Sequence, residues 1–245
     1  MSDANVLSVG APGAAARVLD SLRNRSAGQN LIISAVVGVA LTGISWLIAR
    51  GLGLEFAFSR LEALAVMTSY ACTYLATVES RLNYPIGVMT TFLYSWLFFV
   101  SGLYAVALFN LYLVFSLAYG WFRWGPDGPS TRRVTDFGYR TRWPVIYLLI
   151  AGAVYVLLTG INLYFGVSMT GLDIAVAVLS GVAQFMLDNK HRQTWAVWAV
   201  VNVVSIWLYA KSGLQLVAVQ YAFFLLNTVL GHALWTRSMR EAGRG

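Results

Sequence analysis

Residues 194–214 read TWAVWAVVNVVSIWLYAKSGL. No charge interrupts the run between Thr194 and Lys211, and Ser212-Gly213 then turns the chain into a second apolar run. Two such stretches in succession are long enough to cross a bilayer as a helix pair and too apolar for the surface of a soluble domain. The exceptions within the run fall in line. Trp195, Trp198 and Asn202 stand at offsets 0, 3 and 7, on one face of a helix that turns about 100° per residue.

The same texture fills the chain. Of its 245 residues, 58% are hydrophobic and 11% charged, against roughly 25% charged in a typical soluble domain. Eight apolar spans are predicted, at 31–49, 61–78, 85–99, 103–122, 144–165, 172–187, 195–209 and 214–235. Period-2 alternation is missing, which sets a β-barrel aside. The fold class is therefore an all-α polytopic membrane protein with eight transmembrane helices. The stretch from Met1 to Asn30 holds no early apolar core, so a cleaved signal peptide is not expected. A single cysteine, Cys72, excludes an intramolecular disulfide and any multi-thiolate metal site.

The net charge of +7 sorts by side. Counted across alternating loops, 14 of the 17 Lys and Arg residues fall on the side that holds both termini. They are Arg17, Arg23, Arg25, Arg81, Arg123, Arg132, Arg133, Arg140, Arg142, Lys190, Arg192, Arg237, Arg240 and Arg244. Arg50, Arg60 and Lys211 fall opposite. The positive-inside rule places both termini in the cytoplasm and favours an even number of spans. The basic balance is thus explained by orientation, and no nucleic-acid partner is expected.

The chain also echoes itself. Slid along so that Asn83 falls on Thr194, the stretch 83–124 overlies 194–235. The overlay pairs Trp96 with Trp207, Ser101-Gly102-Leu103 with Ser212-Gly213-Leu214, Gly120 with Gly231 and Trp124 with Trp235. Upstream, in the same register, Glu62 overlies Asp173 and Ser69 overlies Ser180. The predicted organisation is a cytoplasmic tail (1–30), an additional helix (31–49), a three-helix repeat (61–124), a linker helix (144–165), a second three-helix repeat (172–235) and a cytoplasmic tail (236–245). One linker helix makes the repeats parallel, a SWEET-like arrangement. The third and seventh spans, 85–99 and 195–209, read as short in matching places, which points to a midplane site.

The run WAVWAVVNVVSIWLYAKSGLQLVAVQYAFFLL (195–226) resembles the nicotinamide riboside transporter (PnuC) family, through its W-x-x-W-x-x-x-N helix, glycine turn and following tyrosine-bearing helix. FLYSWLFFVSGLYAVALFNLYLVFSLAYGWFRW (92–124) resembles the same family's first half. The likeness covers roughly residues 61–235. It implies vitamin uptake through the bacterial inner (cytoplasmic) membrane, by facilitated diffusion with metabolic trapping inside. It also implies a homo-oligomer, a trimer in the family, with nicotinamide riboside, an NAD precursor, as substrate. Relatives on this scaffold carry thiamine or riboflavin.

Enzyme signatures are absent: there is no His-Glu-x-x-His, no Gly-x-Ser-x-Gly elbow and no Walker loop. Neither cofactor nor metal is expected; an intramembrane enzyme or an assembly subunit are the other classes weighed. The four acids Glu62, Glu79, Asp173 and Asp188 lie near span ends and read as solvated at the interfaces. With no Asp, Glu, Lys, Arg or His in the middle of a span, uncoupled transport fits better than proton symport.

An amide in hydrocarbon needs a partner helix or a cavity. The candidate substrate-binding residues are Trp195, Trp198, Asn202, Gln184, Tyr221, Asn227 and Asn110. Two readings of the tryptophans compete. Trp195 and Trp198 either belong to an interfacial aromatic belt or cover a flat cationic ring, each cation–π contact being worth roughly 0.5–2 kcal/mol. Trp207 and Trp96 read as structural. Gly102 and Gly213 read as turn residues.

Overall fold

The computed structural model describes residues 25–53, 59–125, 133–137 and 142–242. Most of the 1–30 tail and residues 243–245 lie outside them. So do Arg17, Arg23, Arg132, Arg140 and Arg244 of the charge count.

Eight helices follow one another: α1 (Ala27–Gly51), α2 (Arg60–Thr77), α3 (Asn83–Val100), α4 (Tyr104–Trp124), α5 (Trp143–Phe165), α6 (Gly171–Asp188), α7 (Thr194–Lys211) and α8 (Gln215–Ala242). The only β pairing among the described residues is an isolated bridge between Thr135 and His191. Six of the helices, all but α2 and α3, are by themselves long and apolar enough to cross a membrane. The other two carry more hydroxyl and polar side chains, and those face inward: Thr68, Ser69, Thr77, Asn83, Thr90 and Thr91 are buried.

Local chemistry sets the helix ends. A capping box opens α1, where Ser26 Oγ accepts from Gln29 N and Gln29 Oε1 accepts from Ser26 N. Ser59 caps α2 and Thr170 caps α6, each accepting from the backbone N–H three residues on, that of Glu62 and of Asp173. Gly102 and Gly213 adopt φ of 74° and 76°, the left-handed conformation that their tight turns require.

Helices α2, α3, α4, α6, α7 and α8 touch in that order, and α8 returns to α2, so the six close a ring. Helix α1 packs outside on α2 and α8, and α5 outside on α6. The approach of α1 is close: a Cβ on Gly38 would stand 2.6 Å from the Met67 carbonyl oxygen. Ser45 is buried against Tyr70, hydroxyl to hydroxyl at 2.7 Å. Small residues at a contact of this kind let two backbones approach. The outer faces remain apolar, with Ile32, Val36, Val39 and Leu47 on α1 and Leu148, Leu149, Val156 and Leu163 on α5 exposed. Such a girdle suits lipid and would be a liability in water.

Two expectations are corrected here. The third and seventh helices are not short: α3 and α7 have 18 residues each, as do α2 and α6. Hydropathy missed their polar first turns, Asn83-Tyr84 and Thr194, whose side chains are buried. The acids are not solvated either, since Glu62, Glu79, Asp173 and Asp188 are all buried. The reason is that each meets a distant donor. Glu62 Oε1 accepts from Val217 N at the start of α8 (3.3 Å), and the Asp173 carboxylate accepts from Ala105 N and Val106 N at the start of α4 (3.0 and 3.1 Å). Both carboxylates cap helix N-termini, where backbone donors lack partners and the helix dipole favours negative charge. At the other end of the ring, Glu79 pairs with Lys190 at 2.5 Å.

Candidate functional site

Inside the ring lies a cavity of about 160 Å³, close to the roughly 150 Å³ that admits a benzene ring in an engineered apolar core. All six ring helices line it, and all seven candidate residues face it: Asn110 from α4, Gln184 from α6, Trp195, Trp198 and Asn202 from α7, and Tyr221 and Asn227 from α8. No Asp, Glu, Lys, Arg or His is among the lining residues.

The α7 row is built as its spacing requires. Trp195 is 4% exposed, so it is an interior residue and no interfacial belt. Its indole crosses Trp235 edge-on at 5.4 Å and lies over Gly231, where a Cβ would come within 2.5 Å of the ring. Trp198, half-buried, follows one turn deeper, and Asn202 is 2% exposed. Neither Trp195 Nε1 nor Asn202 Oδ1 meets a partner among the described residues. A buried polar atom without a partner is costly, and here both belong to side chains that line a cavity. Trp207, one helix end away, is 55% exposed and stacks under the Lys211 ammonium at 4.5 Å. Trp96 is likewise exposed.

The other amides are half committed. Asn110 Nδ2 donates to the Val106 carbonyl (2.9 Å), Asn227 Nδ2 to Thr77 Oγ1 (2.8 Å) and Gln184 Nε2 to Asp188 Oδ1 (2.9 Å). In each the nitrogen is tied to the protein, which leaves the carbonyl oxygen as the group to offer a ligand. Tyr221 packs tilted on Tyr209 with ring centroids 4.9 Å apart.

Several lining residues carried no decisive sequence signal. Tyr94, Phe98 and Tyr209 form a continuous stack, with successive centroids 5.1 Å apart and planes within 9°. The Tyr94 hydroxyl donates to Gln220 Oε1, and Gln220 Nε2 donates to the Val66 carbonyl at 2.9 Å. Ser69, Cys72, Thr73, Thr90, Thr91 and Ser180 add small polar groups to the wall. Of these, only the Ser69–Ser180 correspondence was visible in the internal echo. Outside the lining stands the Glu79–Lys190 pair, whose ammonium sits 4.6 Å from the Trp124 ring centroid and 6.0 Å from that of Trp235.

Residues 59–237 match the nicotinamide mononucleotide transporter family. The nicotinamide riboside transporter PnuC of Escherichia coli K12 is 24% identical over 244 residues, covering 88% of this chain and 95% of that protein. That of Neisseria mucosa is 26% identical over 202 residues, covering 75% and 74%. The crystal structure of a vitamin B3 transporter, PnuC, shares the fold with a TM-score of 0.69 at 21% identity, covering 85% of this chain and 92% of that one. The cavity ringed by helices, the apolar girdle and a family match over most of the chain agree: this protein belongs to the nicotinamide mononucleotide transporter family and is a multi-pass membrane transporter, not an enzyme.

Proposed function

We propose that the chain takes up nicotinamide riboside across the bacterial inner membrane, and that Trp195, Trp198, Asn202, Gln184, Tyr221, Asn227 and Asn110 form its binding site. The observation that carries this reading is the chemistry of the cavity wall. Indoles, phenols, hydroxyls and amides line it, and no formal charge does. Two indole faces suit a cationic pyridinium. Amide oxygens suit the N–H and O–H donors of a carboxamide and a ribose. A phosphate dianion would call for Arg or Lys, so the wall supports the riboside, the substrate named for the relatives, over the mononucleotide.

The contacts support two parallel three-helix units, α2–α4 and α6–α8, with α5 as linker and α1 added. Glu62 with Val217 and Asp173 with Val106 are the same contact with the two halves exchanged: Glu62 overlies Asp173 and Val106 overlies Val217 in the register of the internal echo. Both termini are then cytoplasmic and all eight helices span. Uncoupled movement is supported by the absence of Asp, Glu, Lys, Arg and His from the wall, since a coupled proton needs a group that binds and releases it in the pathway. In proteoliposomes, substrate should equilibrate without an imposed gradient. The unit of function is a homo-oligomer, a trimer by resemblance to the family.

Titration of the purified protein with nicotinamide riboside, nicotinamide mononucleotide, thiamine and riboflavin is the test. Preference for the riboside is expected. Tighter binding of the mononucleotide or of another vitamin would overturn the substrate reading.

A further inference from the structure

Asp188 closes α6 with its carboxylate fully buried. Three groups converge on it: Ser116 Oγ at 2.5 Å, Gln184 Nε2 at 2.9 Å and Tyr84 Oη at 3.4 Å. All three donate. Two hydroxyls and an amide N–H converging on one carboxyl suit its ionised form, which only accepts. Among the described residues no basic side chain forms an ion pair with it, Lys190 pairing with Glu79 and Arg192 with Asp136. Its helix neighbours Gln184 and Leu187 line the cavity, so one amide separates the charge from the space where a ligand would sit. That amide is oriented: its nitrogen faces the carboxylate, and its oxygen, the negative end of the dipole, is left for the cavity.

The charge is also one-sided. In the register of the internal echo, the Asn227–Thr77 hydrogen bond stands where Ser116–Asp188 stands, with a neutral hydroxyl in place of the carboxylate. In a water-poor interior a single anion without an ion partner acts over several ångströms with little screening. We infer that Asp188 is a specificity-determining residue, the buried counter-charge by which the cavity selects a cationic pyridinium riboside over an uncharged one of the same shape. This rests on the cavity being the riboside site, and it deepens that reading by naming what detects the ligand's charge without touching it.

The experiment compares two ligands of one shape, nicotinamide riboside and its uncharged 1,4-dihydro form, by calorimetric titration of purified full-length protein. Wild-type protein prefers the cation. In Asp188→Asn the carbonyl oxygen still accepts from Gln184 and Tyr84, and the new amide nitrogen can donate to Ser116 Oγ, so the packing is kept and the charge removed. Affinity for the cation falls about tenfold or more while that for the dihydro form stays within about twofold. Equal losses for both ligands would make Asp188 a structural residue only and overturn the inference. Should Asp188→Asn not yield folded protein, Thr77→Asp supplies the second arm: a carboxylate on the opposite wall must raise the preference for the cation, and an unchanged ratio overturns the inference. Wild-type protein that binds both forms equally well refutes the role of Asp188 and leaves the substrate reading standing. Wild-type protein that binds neither refutes the substrate reading and the inference together.

Discussion

Helices α2–α4 and α6–α8, the two proposed repeats, share several contacts and line the cavity differently. In one, the Tyr84 ring lies where a Cβ on Gly120 would sit, 2.2 Å away; in the other, the Trp195 ring does the same over Gly231 at 2.5 Å. Glu79 and Lys190 occupy matching turns, both with positive φ (58° and 54°), and are each other's ion partner. The backbone-determining contacts thus recur with similar chemistry. The wall does not: Thr91 stands where Asn202 does, Asn110 where Tyr221 does, and Gly87 where Trp198 does. For the proposed binding site, the two sides of the wall therefore offer a ligand different groups.

The comparison is broken most severely at the shared ion pair. Lys190→Met leaves the Glu79 carboxylate buried without its ammonium, and removing one partner of a buried pair costs about 3–5 kcal/mol. Thermal unfolding in detergent should show a large loss of stability, partly regained in Glu79→Leu/Lys190→Met. A double variant as unstable as the single one would mean that the pair is not what stabilises this end.

The two glycines sharpen the comparison next. Gly120→Ala and Gly231→Ala each force a methyl into an aromatic ring, an overpacking cost of about 1–3 kcal/mol. Similar losses in melting temperature are expected from both, but only Gly231→Ala, which displaces Trp195, should weaken riboside binding strongly. Equal effects on binding would place Tyr84 and Trp195 in equivalent roles.

Within α7, Trp198→Leu and Asn202→Leu should each weaken binding at least about tenfold, about 1.4 kcal/mol. Trp207→Leu, at an exposed position, should change it little. Titration of variants that keep the wild-type elution profile decides the matter, and unchanged affinity in both inner variants would move the site away from this row.

The smallest contrast concerns the crossed caps. Asp173 holds its backbone donors at 3.0 and 3.1 Å, whereas Glu62 meets Val217 N at a longer 3.3 Å. With a capping interaction worth about 0.5–2 kcal/mol, Asp173→Ala should lower the melting temperature more than Glu62→Ala. The reverse order would show that the caps do not carry the difference.

The helices were legible because their signals are local. Gly102 and Gly213 mark turns within a few residues of themselves, and apolar length marks the spans. The Trp195–Trp198–Asn202 row was legible for the same reason, since one helix's periodicity places all three. What escaped was anything whose partner is far along the chain. Asp188 read as a solvated boundary residue because nothing near it in sequence tells of Ser116, 72 positions away. The stack of Tyr94, Phe98 and Tyr209 draws on two helices that hydropathy treats as unrelated spans.

The sequence by itself determined the membrane class, the approximate place of the spans and the face of α7 that carries indoles and an amide, because hydrophobic length and helical period are properties of contiguous residues. Only the tertiary structure decided that six helices close on one another, that Glu79 finds Lys190 111 positions away, that Glu62 finds Val217 155 positions away, and that a buried carboxylate lies one amide from the cavity. A buried polar group must be satisfied, and each of the four buried carboxylates, Glu62, Glu79, Asp173 and Asp188, finds a partner in the other half of the chain.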